Sequence, residues 1–364
     1  MKICFLLGGF YQNGGIGRVT SVLANRLAEE PDFEIVTLGY FNPHKPNIYK
    51  LSPKIHEEYF LKSYERMTKV MLKGGERKLR KYLCSNEIDV LIACGALFFP
   101  IATRACSKIR TKCICWEHSN PEGNNDHKGQ NIARKYGIKR ADMNVVLTQK
   151  ALQVYKEKYN ALNTVQIYNP IDQEVLRHSK GYNSDSKKIV SVGRLTYQKN
   201  FETAVEVAED VLLRHPDWEW DVFGQGEELD KLVVMTKEKG IDKQMHFKGQ
   251  VSDLYDRYSD YAIMVMTSRY EGFAMTLLEG MGNGIPLVSF DIPTGPSEII
   301  TDNKNGFLIE AFDKQTMAKK INRMIEEKIL REKMSLENKN LMSMFDEEVI
   351  IKEWIEVLVK IIKQ

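Results

Sequence analysis

The chain has 364 residues, of which 43% are hydrophobic and 28% are charged, and its formal net charge is +3. This length favours two domains, the composition excludes a disordered chain, and the mild charge argues against a nucleic-acid-binding protein. The six cysteines include no C-x-x-C pair, and no stretch reaches the ~18 apolar residues of a membrane span. We therefore expect free or buried thiols and a cytoplasmic protein.

Short apolar runs alternate with helical stretches through the first half of the chain. Strands are predicted at 2–7, 34–38, 89–94, 112–116 and 144–148, and the first helix is predicted at 18–30. The turn at Asn169-Pro170 and the polar segment that follows it predict a domain boundary, which we place after residue 172. Such alternation is typical of a doubly wound parallel sheet.

The second half repeats the alternation. Strands are predicted at 188–192, 219–223, 244–248, 261–266 and 286–290, with helices at 201–213, 227–239 and 271–281. The sequence thus predicts an α/β protein with two Rossmann-like doubly wound domains, 1–172 and 173–345, that face each other across a cleft. An amphipathic helix within 346–364 is expected to return to the N-terminal domain.

Two loops at predicted strand ends carry residues suited to a phosphate. Gly14–Gly17 stands between the first strand and the first helix, where backbone amides can approach an anion, although an ordinary tight turn remains the alternative. Gly193-Arg194 and Lys199-Asn200 follow the strand at 188–192. An arginine and a lysine there can clamp a diphosphate, and the alternative is two solvated charges.

The segment 269–279 is the strongest feature. Glu271 either shares one helical face with Glu279 or lies in the loop that enters the helix. In the second case the helix start offers amides to an anionic phosphate, those of Phe273, Ala274, Met275 and Thr276. Glu279 has apolar neighbours and suits the two hydroxyls of a ribose, whereas glutamates on helices are otherwise usually solvated.

His118 follows the strand at 112–116 and stands beside Glu117. A histidine at a strand end can position or protonate a substrate. The alternative is a structural histidine.

With these elements in this order, the chain resembles, over nearly its whole length, the family-four glycosyltransferases of the bacterial cell-surface polysaccharide type, which have the GT-B fold. The resemblance implies transfer of a hexose or N-acetylhexosamine from a nucleotide diphosphate sugar, with retention of configuration. UDP is favoured over GDP by family frequency. The acceptor would be a glycan or a polyprenyl-diphosphate-linked glycan. No cofactor is implied, and no D-x-D triplet occurs that would indicate a metal at the diphosphate.

The resemblance also implies roles for single residues. Arg194 and Lys199 would neutralise the leaving diphosphate, and Glu279 would hold the ribose. Glu271, its neighbouring amides and His118 would contact the donor sugar. The remaining donor-binding positions are glycines at strand ends and one residue near the base: Gly15, Gly193, Gly224 and Val251. Arg18 follows the first glycine loop where many relatives have an acidic residue and then an arginine, which weakens any acceptor-side role for that loop.

The span from Lys62 to Lys81 is basic, with apolar residues interleaved. It predicts an amphipathic helix that lies on an anionic leaflet at the inner face of the plasma membrane. The pair Gly74-Gly75 leaves open whether this helix is continuous or interrupted. A solvated surface helix is the alternative.

Two other functions remain compatible with the sequence. A nucleotide-sugar 2-epimerase would share the fold, but it would need additional acid and base carboxylates. A catalytically silent partner of another transferase would not need Glu271, Arg194 and Lys199.

Overall fold

The computed structural model of the chain describes residues 1–12, 14–122 and 128–363. Its contacts divide the chain into two compact units, residues 1–170 with 347–364, and residues 171–346. Each unit is built on a sheet in which every strand pair is parallel. The predicted fold class, α/β with two Rossmann-like domains, is confirmed.

The sheet of the first unit has seven strands. They are β1 Lys2–Leu7, β2 Glu34–Phe41, β3 His56–Leu61, β4 Val90–Cys94, β5 Lys112–Trp116, β6 Met143–Val146 and β7 Thr164–Gln166. Their order is β3-β2-β1-β4-β5-β6-β7. Every residue of β4 is buried, as expected for a central parallel strand with helices on both faces. The order reverses between β1 and β4, which makes that pair the switch point of the sheet.

Within the described residues, seven α-helices belong to the first unit. They are α1 Gly15–Leu27, α2 Met67–Leu72, α3 Gly75–Ser85, α4 Phe99–Cys106, α5 Lys128–Ile138, α6 Gln149–Glu157 and α15 Glu347–Lys363. The helix predicted at 18–30 begins earlier, because the Arg18 amide donates to the Gly14 carbonyl at 3.2 Å and so brings the glycine loop into the first turn. All six cysteines are free, and all except Cys84 are buried.

The C-terminal helix α15 packs on the first unit. Its buried face is the one expected from the sequence, with Ile350, Trp354, Leu358 and Ile361 in the interior. Trp354 meets the edge of Trp116 at the end of β5, with a distance of 4.8 Å between ring centroids. Burial of large aromatic rings contributes strongly to such packing.

The sheet of the second unit has six strands. They are β8 Lys188–Val192, β9 Glu219–Phe223, β10 Met245–Gly249, β11 Ile263–Met266, β12 Leu287–Asp291 and β13 Gly306–Glu310, in the order β10-β9-β8-β11-β12-β13. The helices are α7 Gln173–Arg177, α8 Phe201–Arg214, α9 Leu229–Glu238, α10 Leu254–Arg257, α11 Met275–Gly282, α12 Pro296–Ile299, α13 Lys314–Glu326 and α14 Lys328–Leu341. The switch point of this sheet lies between β8 and β11.

Three strands were missed by the sequence prediction, namely β3, β7 and β13. All three lie at a sheet edge. An edge strand pairs on one side only and need not be apolar throughout. In β3, which reads His-Glu-Glu-Tyr-Phe-Leu, Phe60 is buried and the other five residues are not.

The basic span from Lys62 to Lys81 forms two helices, with the break at Gly74-Gly75, where the sequence left an interruption open. Gly74, with a left-handed φ of 77°, separates α2 from α3. Val70 and Leu79 are buried in the core of the first unit, so the protein itself covers much of the apolar face. Among the described residues, no helix has the length and apolar character needed to cross a bilayer.

Candidate active site

Two loops meet at the switch point of the second sheet, one after β8 and one after β11. The Arg269 amide donates to the Gln198 carbonyl at 2.8 Å, and the Asn200 side-chain amide donates to the Thr267 carbonyl at 3.1 Å. These bonds hold the two loops together at the carboxyl ends of the strands. Ligands of doubly wound sheets bind at this position.

Lys199 and Glu271, 72 residues apart in the chain, meet at this junction. Lys199 Nζ lies 2.6 Å from Glu271 Oε1, and their side chains are 15% and 9% exposed. Ser268 donates its hydroxyl to the same carboxylate oxygen at 2.7 Å. Thr294, in the loop after β12, donates to the Glu271 carbonyl oxygen. Loops from three neighbouring strands therefore fix one carboxylate and one ammonium group.

Glycines allow the close approach of these loops. A Cβ atom on Gly224, whose φ is 141°, would lie 1.8 Å from the Gly193 carbonyl oxygen. A Cβ atom on Gly193 would lie 3.1 Å from Lys199 Cδ. The Lys199 side chain thus passes directly over Gly193, and its ammonium group reaches Glu271. Packing therefore requires glycine at position 224, whereas a side chain at position 193 would press on the Lys199 side chain.

Helix α11 begins at Met275, so the helix predicted at 271–281 is wrong at its start and Glu271 lies in the entry loop. Ala274 adopts a left-handed conformation, with φ 63° and ψ 54°, which interrupts the helix at that point. The Ala274 carbonyl accepts from the amides of Leu277 and Leu278 at 2.9 and 3.4 Å. The Ala274 side chain itself makes no capping hydrogen bond. A helix N-terminus attracts an anion.

The backbone before α11 is positioned by packing. A Cβ atom on Gly295, which has a φ of 103°, would lie 3.1 Å from the Phe273 carbonyl carbon and 3.3 Å from the Ala274 nitrogen. The Phe273 ring packs on Phe345 at 5.9 Å between centroids. Packing therefore constrains the turn that presents the backbone amides of Phe273 to Thr276, which we predicted to bind a phosphate.

Glu279 is buried, with 4% exposure, as its apolar neighbours in sequence suggest. Its Oε2 atom accepts a hydrogen bond from the Tyr258 hydroxyl, and Tyr258 is fully buried. The Tyr255 ring lies parallel to that of Tyr258, with 6.3 Å between centroids. Sequence reasoning missed Tyr258 because no local pattern connects it with Glu279.

Two residues that we predicted to bind the donor, Arg194 and Val251, take no part in the contacts described above. Arg194 is exposed and forms no ion pair with any residue in the described ranges. Val251 is half-buried in the loop between β10 and α10. That loop lies beside the glycine loop after β9, because the Gly224 amide donates to the Gly249 carbonyl at 2.9 Å.

His118, in the first unit, follows β5. Its ring centroid lies 4.2 Å from that of Trp116. Its Nε2 atom is buried and has no hydrogen-bond partner among the described residues. Burial lowers the pKa of His118 to about 4, although the negative charge of Glu117 acts in the opposite direction. The imidazole is therefore neutral at physiological pH.

Glu117 forms a buried ion pair beneath this histidine. Arg134 Nε lies 2.5 Å from Glu117 Oε2, and the two side chains are 0% and 1% exposed. Tyr155 and Ser119 donate their hydroxyls to the same carboxylate at 2.9 and 2.8 Å. Burial by itself would raise the pKa of Glu117, but the charge of Arg134 and the hydrogen bonds from Arg134, Ser119 and Tyr155 together lower that pKa. Such a network holds the loop that carries His118.

Gly15 is the first residue of α1. A Cβ atom on Gly15 would meet no described atom within 4 Å, whereas one on Gly17 would lie 3.2 Å from the Tyr49 ring. The Tyr49 hydroxyl is also bonded to the Gly14 backbone, at 3.0 Å from its nitrogen. Packing thus explains Gly17, while at Gly15 the described neighbours leave room for a ligand.

One group of possible metal ligands occurs within the described residues. Glu219, Asp221 and His246 have ligand atoms within 4.8 Å of one another. Asp221 also accepts from the Tyr261 hydroxyl at 2.8 Å and lies 3.3 Å from the Lys248 ammonium group. The group belongs to the amino-terminal and middle parts of β9 and β10, away from the loops that follow them.

Two family models match adjoining parts of the chain. The model described as Glycosyltransferase Family 4 matches residues 13–175, and the model described as Glycosyl transferases group 1 matches residues 172–341. An uncharacterized glycosyltransferase from Haemophilus influenzae is 27% identical over 98% of this chain and 99% of its own. The amylovoran biosynthesis glycosyltransferase AmsD from Erwinia amylovora is 25% identical, with the same shares covered.

A solved structure shares the fold. A mutant of S. aureus TarM in complex with fondaparinux, alpha-GlcNAc-glycerol and UDP superposes with a TM-score of 0.81, at 18% identity, over 100% of both chains. Together the two family models account for residues 13–341 of the chain. The chain belongs to the family-four glycosyltransferases and is a transferase with the GT-B fold.

Proposed function

We propose that this protein transfers a hexose or N-acetylhexosamine from a UDP-sugar to a glycan or lipid-linked glycan, with retention of anomeric configuration. The process would be assembly of a bacterial cell-surface polysaccharide. Two comparisons support this choice, since AmsD is named for amylovoran biosynthesis and the TarM structure is described as a complex with UDP. No metal is part of the proposal.

The contact between Lys199 and Glu271 carries the proposal. It places a cation and a carboxylate at the switch point of the second sheet, beside the N-terminus of α11. Fixed positive groups of this kind stabilise the charge that develops when a diphosphate departs. An ammonium group 2.6 Å from its carboxylate can exchange that partner for a phosphate oxygen when the donor binds.

The second unit would hold the donor. Arg194, exposed and without an ion pair among the described residues, would join Lys199 on the diphosphate, together with the amides at the start of α11. Glu279 would accept from the ribose hydroxyls, and the base would lie near Val251 and Gly224. Glu271 would contact the donor sugar once Lys199 turns to the phosphates.

The first unit would contribute His118 and Gly15. A neutral imidazole with an unbonded Nε2 atom can exchange a hydrogen bond with a sugar hydroxyl without adding charge. Gly15 would let the loop after β1 approach a phosphate.

The proposed transfer needs no enzymic nucleophile. The bond between the anomeric carbon and the diphosphate oxygen breaks, and the bond to the acceptor oxygen forms on the same face. The acceptor proton passes to the departing phosphate oxygen. The Glu271 carboxylate and the cations stabilise the separated charges during this step.

We propose a membrane contact that depends on charge and involves no insertion into the bilayer. Since Val70 and Leu79 are buried, the span from Lys62 to Lys81 would attract anionic lipid through charge rather than by inserting its apolar face. Binding to vesicles that contain phosphatidylglycerol should then fall steeply with added salt. Binding that is equal for neutral vesicles would contradict this part of the proposal.

Turnover with labelled nucleotide sugars tests the reaction. The protein is incubated with a panel of UDP- and GDP-sugars and a lipid-linked glycan acceptor, and the products are separated. Glycan labelling supports transfer, formation of an epimeric nucleotide sugar indicates the epimerase, and no turnover with any pair contradicts both. NMR of the new glycosidic linkage decides whether configuration is retained.

A pair of lysine variants tests the site itself. Lys199→Met should weaken UDP binding by at least tenfold, because one charge-assisted bond contributes roughly 1.5–3 kcal/mol. Lys239→Met is the matched control, since Lys239 is also partly buried and pairs with Glu209 in the same unit. Equal UDP affinity in both variants would contradict the placement of the diphosphate.

A further inference from the structure

A basic cavity lies at the amino-terminal edge of the first sheet. Its volume is about 730 Å³, and it is bordered by the end of α4, the turn before β5 and the end of α5. The cationic residues that line it are Arg104, Lys108, Arg110, Lys112 and Arg140. His118 follows the opposite end of β5, and a strand of five residues spans roughly 16 Å. Within the first unit, the cavity is therefore separate from His118.

The cavity retains positive charge after its ion pairs are counted. Lys112 lies 3.7 Å from Asp142, and Arg110 lies 3.4 Å from Asp89. The other lining cations form no ion pair with the described residues, and they are Arg104, Lys108 and Arg140. Helix C-termini attract cations, which accounts for a cation at the end of α4 or α5. It does not account for Lys108 and Arg110, which lie in the turn beyond α4.

Two of the guanidinium groups are held in place by Tyr136. Arg104 Nε donates to the Tyr136 hydroxyl at 2.8 Å. Arg140 lies over the Tyr136 ring at 3.9 Å and donates to the Tyr136 carbonyl at 2.8 Å. A guanidinium group that is already oriented loses little entropy when its remaining N–H groups bind an oxyanion.

We propose that this cavity binds a phosphate ester that carries at least two negative charges. Planar guanidinium groups and nearby ammonium groups match the oxygens of phosphate, and a concave site suits a discrete anionic group. The phosphate belongs either to a soluble ligand or to a lipid headgroup, and both present the same chemistry to the cavity. The site is independent of the sugar donor and does not rest on the proposed transferase reaction.

Calorimetric titration of the full chain with inorganic tripolyphosphate tests the proposal. UDP is kept in excess so that a functioning donor site is occupied. The double variant Lys108→Gln with Arg110→Gln should weaken binding at least tenfold, since it removes two charge-assisted contacts. Both residues are exposed, so the fold should persist, and a thermal melt checks this.

The matched control is Lys150→Gln with Lys156→Gln on α6. Both residues are exposed, belong to the same unit and lie outside the cavity. This variant loses the same charge and should bind tripolyphosphate as the wild type does. No binding by the wild type, or an equal loss in both double variants, would overturn the proposal.

A third variant tests the built geometry rather than the charge. Tyr136→Phe removes the hydrogen bond to Arg104 and keeps every cation, so it should also weaken binding. An unchanged affinity would refute the argument from oriented guanidinium groups.

Vesicle sedimentation distinguishes the two phosphate sources. Phosphatidylcholine vesicles are used with and without phosphatidic acid, whose headgroup is a phosphate monoester that can carry two negative charges. A lipid headgroup is indicated if the cavity variant loses binding to the anionic vesicles while the α6 variant keeps it. A soluble phosphate is indicated if only tripolyphosphate distinguishes the variants. If neither ligand distinguishes them, the site does not exist.

Discussion

Tyr258→Phe removes one hydroxyl from the interior of the second unit and tests whether Glu279 binds ribose. The hydroxyl donates to the Glu279 carboxylate, and the two residues are 0% and 4% exposed. The ring remains, so packing against Tyr255 is preserved. The substitution therefore changes one hydrogen bond and no cavity volume of consequence.

The expected size of the effect follows from the charge and burial of the acceptor. A hydrogen bond to a charged group contributes about 1.5–3 kcal/mol. Part of that loss should appear as lower stability, because a buried carboxylate oxygen loses a donor. The rest should appear as poorer orientation of Glu279 toward the ribose, and thus as weaker binding of UDP.

Comparison of UDP with 2′-deoxyUDP isolates the ribose contact. We expect the wild type to prefer UDP by roughly tenfold, the equivalent of one hydrogen bond to a carboxylate. Tyr258→Phe should reduce this ratio, and the four affinities measured by calorimetry form a thermodynamic cycle. Kinetically, the loss should appear in KM for the donor more than in kcat.

Tyr261→Phe is the matched control. Tyr261 is 3% exposed and donates to Asp221 at 2.8 Å, so the variant also removes a hydroxyl from a buried carboxylate. It should lose stability but keep the preference for UDP over 2′-deoxyUDP. The reasoning is refuted if the wild type binds UDP with this preference and both tyrosine variants keep it. A wild type that does not bind UDP would instead contradict the proposed function.

Three further outcomes are expected. Gly224→Ala places a methyl group 1.8 Å from a carbonyl oxygen at a φ of 141°, so the melting temperature and the UDP affinity should both fall. Gly240→Ala is the control, since Gly240 has a φ of 68° and a Cβ atom there would meet nothing within 4 Å. This control should lose only the stability that the strained backbone conformation costs. Arg134→Met leaves the Glu117 carboxylate buried without its cation, which should cost about 3–5 kcal/mol in denaturant unfolding, and adding Glu117→Gln should recover part of that loss. His118 has its pKa lowered from 6.5 to about 4, so its neutral form stabilises the fold fully above pH 6.5, and that contribution declines as the pH falls toward 4. His118→Gln should lack this part of the acid dependence of unfolding, and a parallel decline in both proteins would contradict the assignment.

The class of fold and the elements that carry the candidate residues could be predicted from the amino-acid sequence. Buried parallel strands are continuous apolar runs, so the central strands of both sheets could be identified from the positions of these runs in the sequence. Glycines and charges directly after those runs indicated the loops of the site. The amphipathic pattern of α15 indicated its buried face, because helical periodicity reports burial locally.

Which distant residues meet could not be predicted from the sequence, because it depends on how the strands are ordered in each sheet. The pairing of Lys199 with Glu271 depends on β8 lying beside β11, and no local pattern encodes strand order. The bond from Tyr258 to Glu279 likewise joins residues from separate elements. Local sequence records how much of an element is buried, whereas the choice of partner depends on how the whole chain packs.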